Sequence, residues 1–195
     1  SNTNYMCIDT LVSGQIERIA DINDIPSPYL TGLMDEFFGY KLEPMIETTR
    51  GCPFSCSFCA DGLSIKNKIR RVDSCRVEEE LRYISAKVKK SGKTESLLIS
   101  DLNFGMYKDD VEFSKMMKKV REEYNYPHYI ITATGKNRKE RVMEVAKNLG
   151  GSLRVAASLQ SMDEEVLNNI RRTNISRDKL LEMSLVPIYL ILDLY

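Results

Sequence analysis

Three closely spaced cysteines are the residues with the clearest chemical potential in this sequence. They lie in the stretch 47–62, which reads ETTRGCPFSCSFCADG. Cys52, Cys56 and Cys59 are separated by four and then three residues, and the aromatic Phe58 directly precedes the third. Three thiolates on one tight loop can bind three irons of a cubane cluster and leave the fourth iron open. This spacing therefore predicts a cluster that does chemistry in addition to storing electrons.

The other cysteines and the single histidine restrict the kinds of metal site that the chain can build. Cys7 and Cys75 have no neighbour at ligand spacing, so we expect ordinary thiols there. His128 is the only histidine in the sequence, which excludes a multi-histidine site. A structural zinc site at the cysteine loop is the weaker alternative, because zinc usually takes four protein ligands and no fourth is placed nearby.

Composition and charge favour one cytoplasmic domain and exclude several classes of partner. The 195 residues carry 28 basic and 28 acidic side chains, so no net field favours nucleic acid. No stretch reaches the roughly 20 apolar residues that a membrane span requires, and the closest, at 185–195, is too short. Residues 1–10 do not resemble a secretory signal, so clustered cysteines indicate metal binding and not a disulfide framework.

Alternating strand and helix patterns surround the cysteine loop and must position it. A β-prone run at 44–49 leads directly into the loop, and further strands are predicted at 96–100, 128–134 and 153–158. Amphipathic helices are predicted at 76–90, 109–124, 138–149, 161–170 and 177–183. Such alternation indicates right-handed crossovers and a parallel sheet, with the loop at the carboxyl end of its first strand.

The predicted fold class is α/β, an incomplete (β/α) partial TIM-like barrel with about four to five parallel strands and an N-terminal extension. A closed barrel needs roughly 250 residues, which this chain does not supply. We expect the extension to comprise residues 1–43 and to pack on a core domain at 44–195. Within the extension, Ser27 as N-cap and Pro28 as first helical residue predict a short helix over 28–38.

The C-x-x-x-C-x-x-C spacing, with an aromatic residue before the last cysteine, resembles the signature of the radical S-adenosylmethionine (SAM) superfamily. The resemblance covers about 44–183 and implies that Cys52, Cys56 and Cys59 bind a 4Fe-4S cluster. It also implies that SAM chelates the fourth iron through its amine and carboxylate. One electron from a flavodoxin- or ferredoxin-type donor would then cleave SAM to a deoxyadenosyl radical that abstracts hydrogen from a substrate.

The resemblance further implies SAM contacts where the predicted strands end. Asp101 and Asn103 follow the second strand, where family members often present Gly-Gly-Glu to the methionine amine, although those letters are absent here. Arg171, or the adjacent Arg172, offers a bidentate fork to a carboxylate. The alternative is that these strand-end polar groups only cap turns or satisfy one another. The candidate cofactor-binding residues are Asp101, Asn103, Thr134, Ser158, Gln160 and Arg171.

The segment PSPY at 26–29, followed by the cysteine loop, most closely resembles the cobalamin-associated branch of that superfamily. This branch includes methyltransferases and ring-forming enzymes. No Asp-x-His-x-x-Gly cobalamin motif is present, so cobalamin would bind through a domain absent from this chain. A G-x-P-G-E-T strand is also missing, which predicts a core truncated after its fourth βα unit. We expect an enzyme acting on a small-molecule or cofactor-precursor substrate; the alternative is a catalytically incompetent iron–sulfur scaffold.

Overall fold

The computed structural model describes residues 19–135, 137–153, 155 and 160–173. The strands are β1 (Met45–Ile46), β2 (Thr49–Arg50), β3 (Arg70–Arg71), β4 (Ser96–Phe104) and β5 (Tyr129–Thr134). The α-helices are α1 (Ser74–Ser91), α2 (Lys108–Tyr124), α3 (Lys139–Asn148) and α4 (Glu164–Asn169). Four short 3₁₀ helices are described at Ile22–Asp24, Asp35–Gly39, Ala60–Gly62 and Ser64–Lys66.

The main sheet is parallel and follows chain order. Its strands are arranged β1-β4-β5, and β4 pairs in parallel with both neighbours. Leu153 forms an isolated parallel bridge with Ile130 of β5, in the place expected for a fourth strand; residues 154 and 156–159 lie outside the described residues. The α/β prediction is confirmed, and within the described residues the sheet does not close into a barrel.

Alternate residues of β4 give the strand two different faces. Leu97 and Ile99 are fully buried and pack in one core with apolar side chains of α1, such as Leu81 and Ile84. Beyond Ile99 the register between β4 and β5 shifts, and Asp101, Asn103 and Phe104 are the buried residues toward the carboxyl end of β4. Phe104 ends the strand, with its ring edge-on to an aromatic ring of α2. The buried residues of β4 therefore lead from the core toward the cysteine loop.

The helix predicted over 28–38 is wrong, although its N-cap is present. The Ser27 hydroxyl oxygen accepts a hydrogen bond of 3.2 Å from the Leu30 amide, but the segment continues as turns and a 3₁₀ helix at Asp35–Gly39. Gly32 has a φ of 78°, which an α-helix does not accommodate. The Tyr29 hydroxyl also bonds the backbone of Met45, at 2.9 Å for both N–H and carbonyl, and so joins this segment to β1. The domain boundary at 43/44 stays a prediction.

Two helix starts and one strand differ from the predicted positions. The N-cap of α2 is Tyr107, and Asp109 lies in the first turn. The N-cap of α4 is Asp163, whose carboxylate accepts from the Val166 amide, while Ser161 instead accepts from the Asp163 amide. The predicted strand 44–49 is divided, because β2 leaves the main sheet to pair with β3. Within the part of the chain that the structure describes, no helix has the length and apolar character needed to cross a membrane.

Candidate functional site

A short antiparallel ladder closes the neck of the cysteine loop. β2 enters the loop and pairs with β3, which leaves it. Just inside the neck, the Cys52 amide donates a hydrogen bond of 3.1 Å to the Lys66 carbonyl. Gly51 has a φ of 103°, and a Cβ added there would lie 2.6 Å from the Lys68 carbonyl oxygen. Only glycine fits this position, so the chain enters the loop in one conformation.

The second half of the loop folds as two successive turns around the cysteines. The Cys59 amide donates to the Cys56 carbonyl at 3.1 Å, and the Gly62 amide donates to the Cys59 carbonyl at 3.0 Å. A Cβ on Gly62 would lie 2.3 Å from the Cys56 carbonyl oxygen, so the backbone of the two residues is in direct contact. Cys56 is buried, and Cys52 and Cys59 are partly exposed. The loop thus presents its thiols from a closely packed backbone.

The donor set of the loop fits an iron–sulfur cluster with one open iron. Cys52, Cys56 and Cys59 are free thiols and supply sulfur ligands only. Among the described residues, no three His, Cys, Asp or Glu side chains are grouped as ligands of a single metal ion. A cubane takes each thiolate on a different iron, so its ligands surround a larger volume than one ion would require.

Asp101 ties β4 to the residues that precede the cysteine loop. Its Oδ1 accepts hydrogen bonds from the amides of Thr48, at 2.8 Å, and Thr49, at 3.1 Å, and its Oδ2 accepts one from the Thr48 hydroxyl. The side chain is only 3% exposed. Burial raises the pKa of Asp101 to about 6, although the hydrogen bonds from Thr48 and Thr49 oppose this shift. The carboxyl group therefore fixes the base of the loop.

Asn103 lies two residues further along β4 and contacts the loop itself. It is 4% exposed, and its side-chain Nδ2 donates to the Cys52 sulfur at 3.5 Å. The predicted residues Asp101 and Asn103 are thus both brought to the start of the cysteine loop. One strand provides the anchor for the loop and a hydrogen bond to its first thiol.

Arg171 follows the end of α4, which contacts the cysteine loop. The Ser57 amide donates a hydrogen bond of 3.1 Å to the Ile170 carbonyl, which joins the loop to the end of α4. Arg171 is exposed, has a φ of 52°, and lines a cavity of about 360 Å³ together with Cys56 and Cys59. A second cavity of about 240 Å³ is lined by Arg171 and Cys56 as well. Arg171 therefore lines the same space as two of the cysteines.

The remaining predicted cofactor contacts are less directly connected to the loop. Thr134 is buried at the end of β5, in register with Phe104 of β4. Gln160 is exposed, and Ser158 lies outside the described residues. The roles of these residues and of Arg171 in SAM binding stay predictions.

The structure adds contacts that motif reasoning missed. The sequence places Thr48 and Thr49 at the end of a predicted strand, and the structure shows that both donate hydrogen bonds to Asp101. The signal for this pairing was the register, because Ile46 is paired with Ile99 and Thr48 then falls level with Asp101. Arg172, the alternative to Arg171, is buried, and its guanidinium carbon lies 5.9 Å from the centre of the aromatic ring before the third cysteine.

Comparison with known proteins identifies the family of this chain. The model of the Radical SAM superfamily matches residues 46–183, which include the cysteine loop, the parallel sheet and all four α-helices. The chain belongs to the radical SAM superfamily.

Two curated relatives are cobalamin-dependent or methyl-transferring enzymes. The chain is 31% identical over 179 residues to "Cobalamin-dependent radical SAM methyltransferase TokK" of Streptomyces tokunonensis, covering 87% of this chain and 26% of that protein. It is 32% identical over 168 residues to "2-(S-pantetheinyl)-carbapenam-3-carboxylate methyltransferase" of Streptantibioticus cattleyicolor, covering 82% and 24%. This chain therefore spans about a quarter of the length of these relatives.

A solved structure supports the fold. The cobalamin-dependent S-adenosylmethionine radical enzyme OxsB, determined with aqua-cobalamin and S-adenosylmethionine bound, superposes with a TM-score of 0.53 at 17% sequence identity. The match covers 86% of this chain and 24% of that one. Similarity at this level of identity shows a shared fold. The prediction of the cobalamin-associated branch is confirmed by the two relatives together with this neighbour.

Proposed function

We propose that this chain is the cluster- and SAM-binding core of a cobalamin-dependent radical SAM methyltransferase. The observation that carries the proposal is the cysteine loop, in which three free thiols are held by a closely packed backbone and anchored to β4 through Asp101. Family membership and the methyl-transferring relatives support the same assignment.

Cys52, Cys56 and Cys59 are the proposed ligands of a 4Fe-4S cluster, which with SAM bound supplies reductive cleavage to a deoxyadenosyl radical. Arg171 presents a cation to the cavity beside two of these thiols and is the proposed partner of the SAM carboxylate. The donors that surround Asp101 already occupy its carboxylate, so we assign it the positioning of the loop.

The rest of the cofactor site and the partners follow from the family. Thr134, Ser158 and Gln160 are proposed to complete the SAM site at the ends of successive strands. Cobalamin is proposed to bind through a domain outside this sequence, and a flavodoxin- or ferredoxin-type protein to supply the electron. We propose a small-molecule substrate, because one relative is named for methyl transfer to a carbapenam carboxylate.

Anaerobic reconstitution tests the proposal. The chain is incubated with iron and sulfide, and SAM and dithionite are then added while 5′-deoxyadenosine is measured. We expect iron uptake and deoxyadenosine formation, and loss of both in Cys52→Ala, Cys56→Ala and Cys59→Ala. Cys75→Ala is the matched control, because this exposed thiol lies at the start of α1, outside the loop. No iron uptake by the wild-type chain would contradict the proposal.

A second candidate function is an iron–sulfur scaffold without turnover. The observation that favours it is the length of the match, since the chain covers only about a quarter of each relative. The same experiment separates the two functions. Cluster formation without deoxyadenosine identifies the scaffold, and cluster formation with deoxyadenosine identifies the enzyme core.

A further inference from the structure

Asn103 makes a contact that its predicted role as a SAM ligand does not account for. We propose that Asn103 raises the reduction potential of the cluster by donating a hydrogen bond to the sulfur of Cys52. This inference rests on the proposed function, because it requires Cys52 to be a cluster ligand. It assigns Asn103 the role of a positioning and tuning residue that acts through the thiolate.

The contact is built into a fixed part of the fold. The Asn103 side chain is 4% exposed, and its Nδ2 lies 3.5 Å from the Cys52 sulfur. The backbone carbonyl of Asn103 accepts a hydrogen bond of 3.2 Å from the Met106 amide. A Cβ added to Gly135 would lie 3.3 Å from the same oxygen. Two residues earlier, Asp101 holds the base of the loop. These contacts hold the backbone from which the side chain of Asn103 reaches Cys52.

A hydrogen bond to a ligating sulfur favours the reduced form of a cluster. Reduction adds one negative charge, part of which is carried by the thiolates, and an N–H directed at sulfur stabilises that charge. Hydrogen bonds to the sulfurs and solvent exposure are among the factors that set cluster potentials. A buried amide is effective here because little water competes for the sulfur. Removing this donor is expected to lower the potential while leaving all three ligands in place.

The test compares two asparagine substitutions that remove the same group. Asn103→Leu keeps similar volume without a donor, and Asn169→Leu makes the same change at an exposed position of α4 that lines neither cavity beside the thiols. Each protein is reconstituted with iron and sulfide without SAM. Iron content, the visible spectrum and the apo-protein's thermal midpoint are recorded first, to establish that cluster and fold are intact. The reduced fraction is then followed by electron paramagnetic resonance during a dithionite titration against redox mediators.

We expect Asn103→Leu to lower the ratio of reduced to oxidised cluster at a fixed potential about tenfold, a shift of about 59 mV for one electron. We expect the midpoint of Asn169→Leu to equal that of wild type. Equal midpoints for wild type and Asn103→Leu, with both clusters intact, would overturn the inference while the proposed function stands. Failure of the wild-type chain to bind a cluster would overturn both.

A second variant keeps the inference testable where leucine prevents cluster binding. Asn103→Asp has the same size and replaces the donor with a carboxylate facing the thiolate. We expect a lower midpoint than wild type, since the added negative charge also opposes reduction. A midpoint equal to or above that of wild type would overturn the inference.

Discussion

The hydrogen bonds that Asp101 accepts make a quantitative prediction about how the cysteine loop is held. Asp101→Asn keeps one oxygen as an acceptor for the two amides and removes the charge. Asp101→Leu removes the charge and both acceptors. The difference in unfolding free energy between the two variants therefore measures the contribution of the hydrogen bonds. The difference between wild type and Asp101→Asn measures the contribution of the buried charge.

The expected difference follows from the contacts at this carboxylate. In Asp101→Leu the amides of Thr48 and Thr49, both residues being buried, lose their acceptor. An unsatisfied buried amide costs about 1–3 kcal/mol, so the two together cost about 2–6 kcal/mol. Burial of the leucine side chain offsets up to about 2 kcal/mol of this loss. With the full offset about 0–4 kcal/mol remains, and we expect Asp101→Asn to exceed Asp101→Leu in unfolding free energy by about 2 kcal/mol, the middle of that range.

Urea unfolding of the reduced apo-protein at pH 8, followed by circular dichroism, measures this difference. Hydrogen exchange of the Thr48 and Thr49 amides adds a local measurement, and we expect faster exchange in Asp101→Leu alone. Arg82→Gln is the control, because its ion pairs are exposed to solvent and are expected to contribute little to stability. Equal unfolding free energies for the Asn and Leu variants would refute the claim that Asp101 anchors the loop.

Three further predictions concern pH, loop packing and a buried ion pair. The raised pKa of Asp101, about 6 against an ordinary value near 4, means that the folded state binds the proton more tightly. Its contribution to stability is therefore fully present below about pH 4 and is lost as pH rises through 6. Urea unfolding across this range should show that the unfolding free energy of wild type falls with rising pH, and that Asp101→Asn lacks this fall. Gly62→Ala forces a Cβ to within 2.3 Å of a loop carbonyl and should lower iron content after reconstitution, whereas Gly39→Ala, with no atom within 4 Å, should bind as much iron as wild type. Arg71→Met removes the guanidinium that pairs with the carboxylate of Asp110, a residue that is 1% exposed. We expect this change to lower the unfolding free energy by about 3 kcal/mol, and a loss under about 1 kcal/mol would contradict a structural role for this pair.

The features that sequence alone predicted are those with local physical signals. α1 was expected at 76–90 and is observed at Ser74–Ser91, because its apolar stripe and the left-handed Gly92 mark the helix and its end. The cysteine loop is predictable for the same reason, because the spacing of metal ligands can be recognised within eight residues. The spacing of the three cysteines also indicates the family.

The features that sequence reasoning missed depend on contacts between distant segments. Thr48 and Asp101 are 53 positions apart, and their pairing is set by the register between β1 and β4. The same limit applies to Asn103, whose hydrogen bond to Cys52 joins residues 51 positions apart. The segment around Gly32 does not form the predicted α-helix, because the positive φ of this residue interrupts it despite several helical signals in the sequence.

The arrangement of β4 explains why a metal-binding loop of this kind needs a folded domain around it. Its odd-numbered residues begin in the hydrophobic core with Leu97 and Ile99, continue with the loop anchor Asp101, and end at the thiol contact of Asn103. Since all four are buried residues of one strand, a shift of the strand register by one residue would disturb core packing and both loop contacts together. Formation of the cluster site is thus coupled to folding of the sheet, and destabilising the core at Leu97 should lower cluster retention without changing any ligand.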